Sequence, residues 1–391
     1  MPDPQQELSP DALLERLTQL YRELLGEGPP DDPSPLGKSE RVHQLGEQRL
    51  ARARQELGED HPDALALAHD IGADLRTLGE YERARALDED TLNRRRKVLG
   101  EDHPDTLTSA HSLAADLRAL GEHERARHLS EDSLNRRRKV LGEDHPATLR
   151  SAHNLATDLR SLREHERAHH LGEDTLNRRR KVLGKDHPGT LRTANNLAAD
   201  LRALNEHQRA RALDEDTLAR CRRVLGEDHP HTLTCAHNLA TDLRALGEYQ
   251  QARQLGEDVV SRRRRILGPD HPDTLISVNN LALDLRTLGE YQQAHVLDED
   301  TLSRCRRALG PDHPNSLTSA YNLIRDLSAL GNQQRVRQLA EDTLSRCQRA
   351  LGQERPSSPA STNDVARCPN TLSEHRRIRQ LAEWITSQVQ L

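Results

Sequence analysis

The chain has almost no aromatic residues. Phe is absent, Trp occurs once (Trp384), Met only at position 1, and aromatics make up 2% of 391 residues. A large aromatic-rich core is therefore excluded. Long apolar runs are also missing: no stretch approaches the roughly 18 residues that a membrane helix needs, so no membrane association is expected. The opening MPDPQQELSPDALLERL has no basic region followed by an apolar one, so no signal peptide is expected. Cys221, Cys235, Cys305, Cys347 and Cys368 are odd in number and lack CxxC spacing. This argues against a disulfide framework or a zinc site and for a reducing cytoplasm. Charge of one sign is lacking too: 57 Lys+Arg against 63 Asp+Glu give a net charge of −6, not the basic footprint of a nucleic-acid-binding chain. With 31% charged and 34% apolar residues, the composition borders on that of disordered chains. The strict recurrence of Leu and Ala argues for order.

What is present is a repeat. Asp-His-Pro begins at Asp60, Asp102, Asp144, Asp186, Asp228, Asp270 and Asp312, always 42 residues apart. Each unit reads as two helices. In the unit from Pro104, Leu107, Ala110, Leu113, Ala114, Leu117 and Leu120 form one apolar stripe. Pro104 suits the first helical turn, with Asp102 or His103 as cap, and Gly121 ends the helix. A second helix is expected from about Glu122 to Leu141, with Ala126, Leu129, Leu134, Val140 and Leu141 inward and Gly142 ending it. One helical pair cannot bury its stripe, so neighbours must stack. The expected fold is all-α, an α-solenoid of stacked antiparallel helix pairs. Its parts are N-terminal capping helices with a Pro-rich loop over 1–58, seven repeats over 59–352, and a degenerate eighth repeat with a capping helix over 353–391. Within these ends, helices are expected over 9–25, 38–57 and 373–391, and a Pro-rich loop over 26–37.

The 42-residue helical pair, with Leu113-Ala114, Gly121 and Ala126 in place, resembles the tetratricopeptide repeat. The motifs NNLA (Asn195–Ala198), RRRKVLG (Arg94–Gly100) and GEDHP (Gly100–Pro104) look like those of the kinesin-light-chain subclass, in stand-alone or STAND-ATPase-linked actinobacterial form. The resemblance implies a right-handed solenoid that binds proteins or peptides. It also implies that the first-helix face opposite the apolar stripe lines the concave groove.

On a helical wheel that face carries three rows: His111, His153, Asn195, His237, Asn279 and Tyr321; Asn154, Asn196, Asn238, Asn280 and Asn322; and Arg118, Arg160, Arg202, Arg244 and Arg286. Amides can hold an extended peptide backbone, and guanidinium groups bind carboxylates bidentately. These residues form the expected ligand groove, for a protein or an extended, acidic peptide. A solvated face that merely joins neighbouring helices is the alternative.

Other motifs have plainer explanations. Asp-His-Pro in every repeat reads as a capping loop, contributing about 1 kcal/mol per cap, rather than a metal or catalytic motif. His169-His170 is a lone pair with no carboxylate constellation. The basic runs Arg94–Lys97, Arg136–Lys139, Arg178–Lys181 and Arg262–Arg265 are matched by nearby acids, with few aromatics to stack bases, so no nucleic-acid partner is expected. The Arg137 position, shared by Arg95, Arg179, Cys221, Arg263, Cys305 and Cys347, reads as a half-buried packing site where an Arg stem can snorkel. No nucleophile–base pair, phosphate loop or HExxH is seen, so the chain reads as no enzyme, with no cofactor and no metal. The kinesin-light-chain pattern carries aliphatics where this chain has Asp (Asp74, Asp116, Asp158, Asp200, Asp242, Asp284, Asp326) and Arg (Arg94, Arg136, Arg178, Arg220, Arg262, Arg304, Arg346). An Asp–Arg pair at the helix interface is expected, Asp116 with Arg136 or Arg94. A self-assembling solenoid, oligomerising through its ends or the Trp384 helix, is the second reading of function.

Overall fold

A computed structural model describes residues 35–352, fifteen helices with no strand among them. The expected helices over 9–25 and 373–391, and residues 26–34 of the expected Pro-rich loop, lie outside the described residues. Helix α1 (Pro35–Leu57) begins with a proline at its first turn, so residues 35–37 are helical rather than loop.

Seven pairs follow: α2 (Pro62–Thr77) with α3 (Tyr81–Leu99), α4 (Pro104–Ala119) with α5 (His123–Leu141), α6 (Pro146–Ser161) with α7 (His165–Val182), and α8 (Pro188–Ala203) with α9 (His207–Leu225). The last three are α10 (Pro230–Ala245) with α11 (Tyr249–Ile266), α12 (Pro272–Thr287) with α13 (Tyr291–Leu309), and α14 (Pro314–Ala329) with α15 (Gln333–Gly352). Each helix packs on the next, and first helices of successive repeats also touch, as α2 does α4 and α8 does α10.

Local chemistry sets the boundaries. In all seven repeats the histidine of Asp-His-Pro is the N-cap: His103 Nδ1, for example, accepts from the Asp105 N–H at 3.2 Å, and Pro104 opens the helix. The aspartate of the motif ties the loop to the second helix of its own repeat, Asp102 Oδ1 accepting from Arg136 Nη1 at 3.0 Å. The turn between the paired helices needs a positive φ, met by Gly121 (78°). Two repeats that lack this glycine place Arg163 and Asn205 there, each at 62°.

The expected stripe of the first helix is buried throughout: Leu107, Ala110, Leu113, Ala114, Leu117 and Leu120. In the second helix Ala126 and Leu134 are buried and Leu129 is partly so. Val140 is not inward: it is 49% exposed, and Val98, Val182, Val224 and Ile266 match it in the other repeats. Leu141, also expected inward, is half-buried, and its equivalent Leu225 packs against the cluster of Cys235, Ala236 and Leu239 on the next first helix.

Polar interfaces between repeats

The interfaces between repeats also bury charge. Asp116, Asp158, Asp200, Asp242 and Asp326 are 0% exposed and Asp284 is 1% exposed. Their partners are not the second-helix arginines expected from the sequence. Arg136 is taken up by Asp102, Asp132 and Glu101. Each aspartate instead pairs with the arginine 40 residues earlier, on the first helix of the preceding repeat: Arg118–Asp158, Arg160–Asp200 and Arg244–Asp284. Asp74 opens the array and is exposed. The Asp–Arg pair is real, but its geometry favours a first helix because these helices lie side by side.

A second buried contact crosses from each second helix to the next repeat. Arg137, 2% exposed, donates to Ser151 Oγ at 2.6 Å and to the Ala147 carbonyl at 3.4 Å. Arg95, Arg179 and Arg263 repeat this with Ser109, Thr193 and Ser277. The position is thus buried rather than half-buried, with the guanidinium turned inward onto the next repeat instead of snorkelling, although Nε of Arg95 and of Arg179 is buried without a hydrogen-bond partner.

Candidate functional site

The sixteen residues expected to line the groove do share the first-helix face, but most bond to one another across repeats. Asn154 Nδ2 lies 2.7 Å from His111 Nδ1, Asn196 Nδ2 lies 3.5 Å from His153 Nε2, Asn238 Nδ2 donates to Asn195 Oδ1 at 2.7 Å, and Asn280 Nδ2 lies 3.1 Å from His237 Nε2. A polar ladder thus joins one first helix to the next. Burial, reinforced by nearby arginines, pulls His111 and His237 down to about 4 and His153 to about 3. Their imidazoles are neutral near pH 7 and can accept from the amides. At the far end Asn279 Oδ1 is buried without a partner. Further along α12, a cleft of about 360 Å³ is bordered by Leu283, Arg286, Thr287, Tyr291, Arg325 and Ser328. Arg325 sits over the Tyr321 ring, 5.8 Å from its centroid, and Asn322 is half-buried beside them.

Every arginine of the expected row is held in an ion pair with a buried aspartate. Arg160 holds Asp200 in a fork, Nε to Oδ1 at 2.6 Å and Nη2 to Oδ2 at 2.7 Å, and also donates to the Asn196 carbonyl. Arg202 bridges two buried carboxyls, Asp214 at 2.7 Å and Asp242 at 3.1 Å; Arg286 does so with Asp298 and Asp326, and Arg76 with Asp88 and Asp116. In these three triads two carboxyls within hydrogen-bonding reach share one guanidinium. Burial drives Asp116 and Asp298 up to about 8 and Asp214 to about 7; each rise is opposed by the bridging arginine and aided by the second carboxyl. In each triad burial and the neighbouring carboxyl thus disfavour two ionised carboxylates beside one guanidinium and favour a proton shared between them.

Sequence reasoning missed the unpaired cations of this face. Arg150 and Arg192 stand one repeat apart at the position of Thr108, both exposed, and neither makes an ion pair among the described residues. The signal was available: unlike the arginines of the Arg118 row, neither has an aspartate 40 residues later. His169 is buried, with His170 and Glu173 exposed beside it, so that pair does have a carboxylate neighbour. The basic runs are divided: Arg94 pairs with Glu59, Asp60 and Asp90, whereas Arg95 is buried. No described helix is long and apolar enough to cross a membrane.

Stacked helix pairs with a continuous polar face define an α-helical repeat scaffold. The tetratricopeptide repeat model matches residues 64–139, 110–181, 171–221, 193–265, 238–303 and 279–349. The chain belongs to the tetratricopeptide repeat family, and its 42-residue repeats are of the kinesin-light-chain-like type. A putative kinesin light chain with nearly identical TPR-like repeats from Podosopora anserina is 30% identical, covering 54% of this chain and 99% of that one, with a TM-score of 0.49. The apo quorum sensor NprR from B. thuringiensis is 14% identical over 86% of this chain and 94% of its own, with a TM-score of 0.60. A Rap protein complexed with Competence and Sporulation Factor is 11% identical over 97% and 99%, with a TM-score of 0.53. No match is found among curated proteins.

Proposed function

We propose that the chain is a non-enzymatic scaffold of the cytoplasm that binds a protein or an extended, acidic peptide along its first-helix face. The observation that carries this reading is the pair of exposed arginines without ion-pair partners, Arg150 and Arg192, beside a ladder already fixed by its own hydrogen bonds. A rigid polar strip loses little freedom on binding, and two free guanidinium groups suit carboxylates. The Arg118–Arg286 row would act from behind, holding the face in register, while Asn322, Tyr321 and the cleft bordered by Arg325 offer polar groups at one end. That a Rap protein of this fold is complexed with Competence and Sporulation Factor supports a ligand-binding role.

The test is selection of peptides from a displayed library against the full chain, with affinities then read by fluorescence anisotropy. Selected peptides should be rich in Asp and Glu, weaken as salt rises, and lose at least about tenfold in affinity on Arg150→Glu/Arg192→Glu, since each tenfold is only about 1.4 kcal/mol. Neutral or basic peptides that bind that variant as well as the parent would refute the reading. The second reading, self-assembly, is favoured by the exposed row Val98, Val140, Val182, Val224 and Ile266. Light scattering of Val140→Lys/Val182→Lys beside the parent separates the two: a parent that is monomeric at all concentrations removes it.

A further inference from the structure

One inter-repeat junction departs from the others at three positions together. In four repeats a buried arginine of the second helix meets two groups of the next repeat: the backbone carbonyl ten residues later and a hydroxyl fourteen residues later. Arg263 does so with the Asp273 carbonyl at 2.9 Å and Ser277 Oγ at 2.7 Å. Between α9 and α10 the corresponding three residues are Cys221, His231 and Cys235. A single exchange of arginine for cysteine has another outcome: Cys305 faces Asn315 and Ser319 in register, its Sγ 3.6 Å from Ser319 Oγ. Among the described junctions, only α9–α10 gains a second thiol and an imidazole at once.

The geometry of the three side chains is that of a ligand set. Cys221 and Cys235 are both 0% exposed, and their sulfurs lie 3.8 Å apart. Two thiolates held tetrahedrally at about 2.3 Å from one zinc ion stand ~3.8 Å apart, whereas a disulfide requires about 2.05 Å. A ring nitrogen of His231 lies within 4.8 Å of both sulfurs, and His231 Nε2 is buried without a hydrogen-bond partner. His231 and Cys235 are one turn apart on α10, so one face of that helix presents both. Charge agrees as well. The same junction in sister repeats is built around a buried guanidinium, and here a thiol stands in that position. The loop Gly226–Pro230, exposed at every residue, lies beside the half-buried His231 and gives an ion a path inward.

We propose that Cys221, His231 and Cys235 form a binding site for a thiol-preferring d10 cation, Zn2+ or Cu+, which clamps the fourth repeat to the fifth. Two thiolates and an imidazole are a borderline-to-soft donor set. Three protein ligands leave zinc a fourth position for water, or complete a trigonal site for Cu+. Ligands spaced at i, i+10 and i+14 across two helices form no short sequence motif. The spacing that argued against zinc in the linear sequence therefore says nothing about this site.

The experiment uses the reduced full chain. Co2+ serves as a spectroscopic probe, and Zn2+ and Cu+ are then titrated against chelators of known affinity. Expected are a thiolate-to-cobalt charge-transfer band, its bleaching by one equivalent of Zn2+ or Cu+, and a Tm raised by the bound ion. The two competition titrations tell which cation is preferred, and tight one-to-one binding of either supports the site. The control variant Cys221→Arg/His231→Asp/Cys235→Ser installs the residues of the Arg263 junction, so it should fold and lose both the band and the Tm shift. Cys305→Ser should keep both. The proposal is overturned if the parent shows no charge-transfer band or retains no ion, or if the triple variant binds as tightly as the parent. It is also overturned if Cys221 and Cys235 prove joined as a disulfide in the isolated protein and the reduced protein takes up no metal.

Discussion

Removing Arg160 should cost far more than removing any arginine of the surface ion pairs. Asp200 is 0% exposed, and Arg160, with 21% of its side chain exposed, supplies both bonds of its fork. In Arg160→Ala the carboxylate is left buried without its cation, and breaking such a pair from one side costs about 3–5 kcal/mol. Asp200→Asn should cost less, about 1–3 kcal/mol, because the arginine can turn towards solvent. In Arg160→Met/Asp200→Asn no buried charge remains uncompensated, so the double variant should be more stable than Arg160→Met alone. The difference should give a coupling of about 2 kcal/mol, within the range for contacting residues. The surface control is Arg178→Ala, whose partner Asp144 is 66% exposed; about 0–1 kcal/mol is expected there. The assay is urea unfolding followed by circular dichroism, with fits that allow for the limited cooperativity of repeat arrays. A coupling below about 0.5 kcal/mol between Arg160 and Asp200 would refute the reasoning. So would coupling of Asp200 to Arg178 or Arg220 instead.

Stability should fall on both sides of neutrality. Asp116, Asp214 and Asp298 have folded pKa values raised above the unfolded one, so their contribution is complete below about pH 4 and is lost as pH rises through about 7–8. Thermal melts from about pH 6 to about pH 9 should show this decline, and Asp88→Asn/Asp214→Asn/Asp298→Asn should flatten it, since each triad then needs no shared proton. His111, His153 and His237 act with opposite sign: their folded values are depressed, so their contribution is complete above about pH 6.5 and is lost as pH falls towards 3–4. His153→Asn, the residue found at Asn195, should lessen the acid loss in the same melts. His103→Ala removes one N-cap and should cost about 1 kcal/mol in urea unfolding, and His187→Ala should cost the same if capping alone explains the motif.

The sequence determined the element list of this protein. A 42-residue period, an apolar stripe at helical spacing, proline at the first turn and glycine after the last are all local signals, and they hold from Pro62 to Leu309 except where Arg163 and Asn205 replace the glycine between paired helices. Asp-His-Pro could be read as a cap because the chemistry of a helix end lies within three residues. The site was legible only as rows. That Asn154, Arg160 and Asp158 fall on first helices follows from the wheel, but whether Asp200 meets Arg178, Arg220 or Arg160 depends on how far one helix pair rotates on the next. The ends of the array held a hint, since the arginine row stops at Ser328, where no aspartate follows 40 residues later. Tertiary packing decided the rest. It placed first helices close enough for Arg160 to reach Asp200, spent the expected ligand-binding arginines on buried carboxylates, and left Arg150 and Arg192 without ion-pair partners. It also brought the sulfurs of Cys221 and Cys235 and a ring nitrogen of His231 within 4.8 Å of one another. Each of these is a contact between neighbouring repeats, fixed by interhelical distance and angle rather than by any local propensity.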